Sequence, residues 1–332
     1  MKVGVIGAGT WGSAFALHLA RLGLPTRLWV REKEVYTELR QSRENATFLP
    51  GFTFPPNVSF FRDARRMSAM PDILFIAVPA QFLRSVFSEI ADGLSPRQVV
   101  VSLTKGIEER SLKRITEVMT DVMAGRPAPR FAVLSGPSFA REVAEKHPTA
   151  VVIAAGSADV ARLVQTLVSN ANLRAYASSD VAGVELSGAM KNIIAIAAGI
   201  SDALRYGHNS RAALMTRGVV EMTRLGVKLG AKRETFHGLA GIGDLVLTCT
   251  ARVSRNYHVG HELGKGRPLG EILEEMKTVA EGVATTVSVR HLARREGVEM
   301  PICEEVYRVL YEGKNPRDSI RDLMQRALKA EA

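Results

Sequence analysis

The sequence predicts an α/β protein: an N-terminal doubly wound, mostly parallel sheet with helices on both faces, followed by an all-α C-terminal domain. Three observations predict it. Short apolar or β-branched runs alternate with helical patterns through the first half of the chain. A glycine-rich turn joins the first of those runs to the first helical pattern. After about residue 178, strands give way to long helical patterns. At roughly 100–200 residues per domain, the 332 residues make two domains, with a boundary near 178–180 and extents of 1–178 and 179–332.

The elements follow in order. Residues 2–6 are a short β-branched run, and 10–22 carry apolar side chains at helical spacing, ended by Gly23. Residues 26–30 read as a second strand. The segments 73–78 and 99–103 are almost continuously apolar, as strands covered on both faces are. Residues 131–134 and 150–154 add strands, and 81–91 and 112–123 read as helices between them. Beyond the boundary, 181–204 is rich in Ala and Ile with little charge, the pattern of a helix buried on most sides. Segments 215–229, 269–276, 286–295 and 304–311 read as further helices.

Composition narrows the function. Apolar residues at 46% supply real cores and exclude disorder. No apolar run reaches the roughly 18–20 residues of a membrane span, so no membrane insertion is expected. Gly7, Gly9 and Gly12 break the N-terminal apolar stretch, which excludes a signal peptide and makes a cytoplasmic protein the expectation. The two cysteines, Cys249 and Cys303, are too few for a disulfide framework and read as reduced thiols. The net charge is +10, but basic residues are interleaved with acids, as in Arg31-Glu32-Lys33-Glu34, and aromatics are only 6%. That dispersal argues against nucleic acid. It leaves either a field that attracts small phosphorylated anions or simply a basic solvated surface.

Gly7-Ala8-Gly9-Thr10-Trp11-Gly12 fits G-x-G-x-x-G between a strand and a helix, the Rossmann-type dinucleotide fingerprint. Gly7 permits the tight turn, Gly9 lets the backbone approach the pyrophosphate, and Gly12 lets the helix pack on the strand. The helix N-terminus offers unpaired N–H groups to the anion. At the end of the second strand, Arg31 precedes Glu32. Arg31 suits a 2′-phosphate, which favours NADP(H) or dual use with NAD; the alternative is a solvated Arg–Glu pair.

In the second half, Lys191 sits inside Gly183-Val-Glu-Leu-Ser-Gly-Ala-Met-Lys-Asn-Ile-Ile-Ala-Ile. A lysine there either carries out proton transfer from a desolvated position or extends its head to the surface. Asn192 either binds substrate or caps backbone. Asp244, within Gly241-Ile-Gly-Asp-Leu-Val-Leu-Thr-Cys-Thr, either pairs with a buried lysine or occupies a turn. Cys249 in the same segment reads as a buried inert thiol. Ser254-Arg255-Asn256 is a good donor set for phosphate. Thr104-Lys105-Gly106 and Ser135-Gly136-Pro137-Ser138-Phe139-Ala140 end apolar strands, where open α/β sheets bind ligands. His258 and His261 are three apart but have no further ligand at metal spacing, so no metal is expected.

Together these segments resemble the soluble, biosynthetic bacterial NAD(P)-dependent glycerol-3-phosphate dehydrogenases. The matching stretches also include Glu281-Gly and Glu299-Met-Pro-Ile through Val309-Leu-Tyr, in family order over almost the whole chain. The resemblance implies a Rossmann-type domain with a helical domain of 6-phosphogluconate-dehydrogenase-like architecture. It implies reversible NAD(P)H-dependent reduction of dihydroxyacetone phosphate to sn-glycerol 3-phosphate, for phospholipid synthesis. It implies Lys191 as the proton donor and acceptor, Asp244 orienting it, and Lys105 and Asn192 polarising the carbonyl. Substrate contacts implied are Lys105, Gly136, Ser138, Lys191, Asp244, Thr248, Ser254, Arg255 and Asn256. Cofactor contacts implied are Gly7, Gly9, Thr10, Trp11, Gly12, Arg31, Lys105, Ala140, Arg255, Val279 and Glu281. A homodimer is expected by the same analogy. The competing readings are a β-hydroxyacid dehydrogenase or ketopantoate reductase of the same architecture, or a non-catalytic NAD(P)-sensing protein.

Overall fold

The computed structural model describes residues 1–276, 278–328 and 330; the very end of the expected 179–332 domain lies outside the described residues. The chain forms two compact units, Met1–Glu108 with Lys113–Glu185, and Glu109–Leu112 with Leu186–Ala332. The division falls inside a helix, a few residues beyond the expected boundary.

The first unit alternates strand and helix: β1 (Val3–Ile6), α1 (Thr10–Arg21), β2 (Thr26–Trp29), α2 (Lys33–Ser42), β3 (Glu44–Asn45), β4 (Leu49–Thr53), β5 (Val58–Phe61), α3 (Ala64–Ser68), β6 (Ile73–Ile76), α4 (Ala80–Ile90), β7 (Val99–Ser102), α5 (Ile115–Val122), β8 (Arg130–Ser135), α6 (Ala140–Ala144), β9 (Thr149–Ala155), α7 (Ala158–Val168) and β10 (Leu173–Ser178). Eight strands form one sheet in the order β10-β9-β8-β7-β6-β1-β2-β5, and β3 pairs with β4 separately. All neighbours in the large sheet are parallel except β8 and β9, which run antiparallel. Strands β1, β6 and β7 are buried at every position, so helices must cover both faces. Phe15 of α1 and Phe75 of β6, both fully buried, meet edge to face with centroids 4.9 Å apart. The chain runs from β1 out to β5 on one side and returns to β6 on the other. The switch point therefore lies at the carboxyl ends of β1 and β6, where such sheets bind ligands.

The helix expected over 112–123 begins later, at Ile115. Leu112 has a left-handed backbone (φ 59°), and Ile107 bridges Arg114, so the preceding segment is a loop. Glu117 accepts from the Arg114 backbone N–H at 2.9 Å and fixes the start. The Arg114 guanidinium, the Thr116 N–H and the Thr116 hydroxyl each donate to the buried Glu185 carboxylate at 2.7 Å. Burial nonetheless raises the Glu185 pKa, against the pull of Arg114 and Thr116.

The second unit continues as α8 (Val181–Ala203), α9 (His208–Lys228), α10 (Arg233–Phe236), α11 (Asp244–Thr250), α12 (Arg255–Gly264), α13 (Leu269–Glu275), α14 (Glu281–Glu296), α15 (Pro301–Tyr311) and α16 (Pro316–Met324). Helix α8 is long and apolar enough by length and composition to cross a membrane, contrary to the expectation that no apolar run reaches that length. In the structure 83% of that apolar window is buried within the protein, as in a core helix. Helices α9, α14 and α15 begin before their expected starts: α9 opens on the polar His208-Asn209-Ser210-Arg211, α14 on Glu281-Gly282, and α15 on Pro301, which serves as a first helical residue.

Buried Glu221 on α9 caps α15, accepting from the Ile302 N–H at 2.9 Å. Burial pushes its carboxyl up to about 7, against the opposing pull of the Ile302 and Cys303 N–H groups. Between the ordinary value of 4.5 and about 7, the folded chain holds a proton that the unfolded chain releases. Stability carried by this group is therefore full below that window and is lost as pH rises through it. Melting temperature is expected to fall between about pH 5 and pH 8. Glu221→Gln should flatten that fall; an unchanged slope in the variant contradicts the assignment.

Candidate active site

In the first unit, the Gly7–Gly12 turn stands at the switch point. Gly7 takes φ 107°, and a Cβ there would lie 2.5 Å from the Ala77 carbonyl oxygen. A Cβ on Gly12 would lie 1.9 Å from the Gly7 carbonyl oxygen, so helix and strand approach only without side chains. Gly9, the N-cap of α1, has nothing within 4 Å of where a Cβ would sit. The open side of the turn thus lies at the helix N-terminus, which is the cradle a pyrophosphate requires. Thr10 and Trp11 are the first two residues of α1, and the Trp11 ring packs 5.5 Å from Phe15.

Sequence reasoning missed the brace behind this turn. Buried Asn45 donates to the Ala8 carbonyl and to the Ser13 hydroxyl oxygen, both at 2.8 Å, and Ser13 donates to the Ala8 carbonyl at 3.1 Å. Asn45 lies on a two-residue strand far along the chain, and no local pattern marks it.

Arg31 follows β2 and is exposed. Its guanidinium lies 5.8 Å from the centre of the Phe82 ring, and its backbone carbonyl accepts from Arg62. After β7, Lys105 Nζ donates to the Gly136 carbonyl at 3.0 Å, and the Ser138 hydroxyl donates to the same oxygen at 3.0 Å. The structure thus joins the two strand-end segments, 104–106 and 135–140. Ala140 opens α6.

In the second unit, Lys191 lies midway along α8 and is buried, so its head does not extend to the surface. Nζ donates to Asp244 Oδ1 at 3.0 Å and to Thr248 Oγ1 at 2.6 Å. Thr248 in turn donates to the Asp244 backbone carbonyl at 2.6 Å. Asp244 opens α11 directly after a π-helical turn, Leu239–Gly243, a distortion frequent at functional sites. A Cβ on Gly241 within that turn would lie 2.1 Å from the Phe236 carbonyl oxygen. The arrangement holds a buried ammonium against one carboxylate and one hydroxyl, which satisfies the charge and aims it. The neighbouring Cys249 is fully buried, and burial pushes its thiol up to about 12, so it stays protonated and inert.

Buried Asn192 accepts from Asn256 Nδ2 at 2.9 Å. The Ser254 hydroxyl accepts from the Tyr257 N–H at 3.3 Å and so caps α12. Arg255 opens α12, is exposed, and interacts electrostatically with Glu281, the first residue of α14. Val279, shortly before α14, is 41% exposed. Lys191, Asp244 and Thr248 thus form one hydrogen-bonded cluster, and Asn192 with Asn256 another; the Ser254 oxygen caps its own helix, which leaves its O–H as a donor. His258 and His261 both lie on α12, and among the described residues no group of three or more His, Cys, Asp or Glu is placed to hold a metal.

Two family models match the chain. The N-terminal model of the NAD-dependent glycerol-3-phosphate dehydrogenases covers residues 2–161, and the C-terminal model covers 180–321. A glycerol-3-phosphate dehydrogenase [NAD(P)+] of Geobacter sulfurreducens is 51% identical over 99% of this chain and 98% of its own. A crystal structure of glycerol-3-phosphate dehydrogenase from Coxiella burnetii superposes with a TM-score of 0.93 at 37% identity, covering 98% of this chain and 99% of that one. A ketopantoate reductase from Ralstonia eutropha shares the fold alone, with a TM-score of 0.61 at 16% identity over 96% of this chain and all of its own.

Proposed function

The chain belongs to the NAD-dependent glycerol-3-phosphate dehydrogenase family, and on that premise we propose that Lys191 delivers the proton as dihydroxyacetone phosphate is reduced to sn-glycerol 3-phosphate. The observation that carries this reading is the buried Lys191–Asp244–Thr248 cluster. The nicotinamide dinucleotide, NAD(H) or NADP(H), supplies the hydride when bound.

This chain's own groups do the rest. Gly9 and the N–H groups opening α1 hold the pyrophosphate. Lys191 donates a proton to the C2 oxygen in reduction and withdraws it in oxidation, so no free alkoxide has to form. Asp244 balances the ammonium and fixes its direction, and Thr248 accepts a second N–H. Asn192 and Lys105 polarise the carbonyl, and Gly136 and Ser138 line the substrate site. Arg255, Ser254 and Asn256 take the phosphate end. Thr10, Trp11, Ala140, Arg255, Val279 and Glu281 complete the cofactor contacts. The product feeds phospholipid synthesis, the protein works in the cytoplasm, and two chains associate as a homodimer.

Initial rates of NADPH oxidation with dihydroxyacetone phosphate, ketopantoate and a β-keto acid test the substrate. Oxidation is expected with the first alone; preference for either of the others rejects the reading.

Arg31 is proposed to meet the 2′-phosphate of NADP(H). It is exposed at the end of β2, and Phe82 holds its guanidinium in place. A hydrogen bond to a charged group contributes about 1.5–3 kcal/mol, so Arg31→Glu should raise KM for NADPH at least about 10-fold. KM for NADH should change far less, and an equal rise for both rejects the assignment.

A further inference from the structure

We propose that Asp202 is a positioning residue: through the Tyr257 hydroxyl it sets the register of α12 along α8, and with it the place of the Ser254–Asn256 turn that takes the substrate's phosphate. The proposal rests on the reading of that turn as the phosphate end.

Helices α8 and α12 lie backbone to backbone. A Cβ on Gly260 of α12 would lie 1.9 Å from the Ile196 carbonyl oxygen of α8, and one on Gly264 would lie 3.0 Å from the Ile200 carbonyl oxygen. From the other side, a Cβ on Gly199 would lie 2.1 Å from the Tyr257 carbonyl oxygen. Asn256 meets Asn192, Gly260 meets Ile196 and Gly264 meets Ile200, each pair 64 residues apart. The two helices therefore run side by side in one direction and keep one register over two turns. Glycine permits this approach but does not choose the register, because a surface without side chains has no ridge to lodge in a groove. A slip of one residue is about 1.5 Å along the axis. It would carry Ser254, Arg255 and Asn256 that far from their places beside Lys191 and Asn192.

Two polar contacts choose the register. One is Asn256 with Asn192, inside the ligand turn itself. The other is Tyr257 with Asp202, the last residue but one of α8. Tyr257 is buried, and its hydroxyl donates to Asp202 Oδ2 at 2.5 Å. Burial, reinforced by that carboxylate, pushes the Tyr257 hydroxyl up to about 12, so it keeps the proton it donates. Asp202 is itself held from a third helix. Arg211, in the first turn of α9, donates from Nε to Oδ1 at 3.2 Å and from Nη2 to Oδ2. Such a fork fixes a carboxylate in angle as well as distance. The Asp202 side chain is 10% exposed, so water competes little for it. The Tyr257 ring stacks on His261 one turn on, with centres 6.1 Å apart, which holds the ring in place. Tyr257 directly follows Asn256, so what holds Tyr257 holds the phosphate turn.

Tyr257→Phe tests this, because it removes the hydroxyl and keeps the ring. It breaks one hydrogen bond to a charged group, so KM for dihydroxyacetone phosphate should rise about 10-fold. A phosphate is held in ground state and transition state alike, so kcat should stay as in wild type. Unphosphorylated dihydroxyacetone has no phosphate to place, and its kcat/KM should not change. In an Asp202→Ala background, which already lacks the acceptor, Tyr257→Phe should raise KM no further. Where Asp202→Ala does not fold, the two substrates compared on Tyr257→Phe alone decide the matter. A Tyr257→Phe protein with a lower melting temperature and an unchanged KM would make the contact structural only and overturn the proposal. A loss shared equally by both substrates would overturn it too. Arg255→Ala, assayed beside it, separates the proposal from its premise. A KM for dihydroxyacetone phosphate that rises in Arg255→Ala but not in Tyr257→Phe would leave the phosphate turn standing and overturn the role of Asp202. A KM that rises in neither would overturn the phosphate reading, and the role of Asp202 with it.

Discussion

Lys191→Ala is expected to lower turnover of dihydroxyacetone phosphate by at least about 10²-fold, and by as much as about 10⁴-fold, while NADPH binds as before. The ammonium is the ionised donor of a buried cluster that it forms with a carboxylate and a hydroxyl. Without it, the C2 oxygen would gain its negative charge with no proton at hand. The proposed cofactor cradle is the Gly7–Gly12 turn, so the variant should keep its fluorescence titration with NADPH. Steady-state turnover and that titration, made on the same preparation, check the prediction. A variant with near-normal turnover would remove Lys191 from the reaction, and one that loses NADPH binding would make its role structural.

The second large effect concerns Asp244. Asp244→Ala removes the carboxylate that balances the buried Lys191 ammonium, and taking one partner from a buried ion pair costs about 3–5 kcal/mol. Urea denaturation followed by circular dichroism should show that loss, together with a fall in turnover like that of Lys191→Ala. Replacing both partners with apolar residues, Lys191→Met with Asp244→Leu, removes both desolvation costs and should recover most of the stability without any activity. That outcome would mean that the pair serves the proposed chemistry more than folding. A double variant less stable than Asp244→Ala would contradict this account.

Much of the site was legible because each legible residue violates a local rule. Lysine is costly in an apolar helix, and that cost singled out Lys191 before any partner was known. Glycines at 7, 9 and 12 are poor helix openers unless the backbone must come close to something, and the geometry at Gly7 and Gly12 shows that closeness. What stayed hidden depends on pairing across distance. Asn256 is 64 residues from Asn192, a separation that no periodicity relates, whereas Asp244, 53 residues from Lys191, is already open in the sequence to pairing with a buried lysine. Asn45 and Glu221 brace a turn and cap a helix from remote elements, and alone each resembles an ordinary polar residue.

The fold divides in the same way. Buried parallel strands such as β6 and β7 announce themselves by continuous apolar runs, whereas β5 and β10 alternate buried with exposed positions and show no such run. The antiparallel run of β9 against β8 is a matter of connection, which hydrophobic pattern does not encode. The division between the units falls within α8, where composition does not change because one continuous helix crosses it.

The central claim is that Lys191 couples a proton to hydride reduction of a phosphorylated three-carbon ketone. A single-turnover experiment tests it most directly, mixing wild type or Lys191→Met with NADPH and dihydroxyacetone phosphate and following both NADPH oxidation and sn-glycerol 3-phosphate formation. The wild type should oxidise NADPH and form sn-glycerol 3-phosphate in equal amounts, and Lys191→Met should bind NADPH yet form almost no product. Equal product formation by the two proteins, or NADPH oxidation by the wild type without sn-glycerol 3-phosphate, would contradict it.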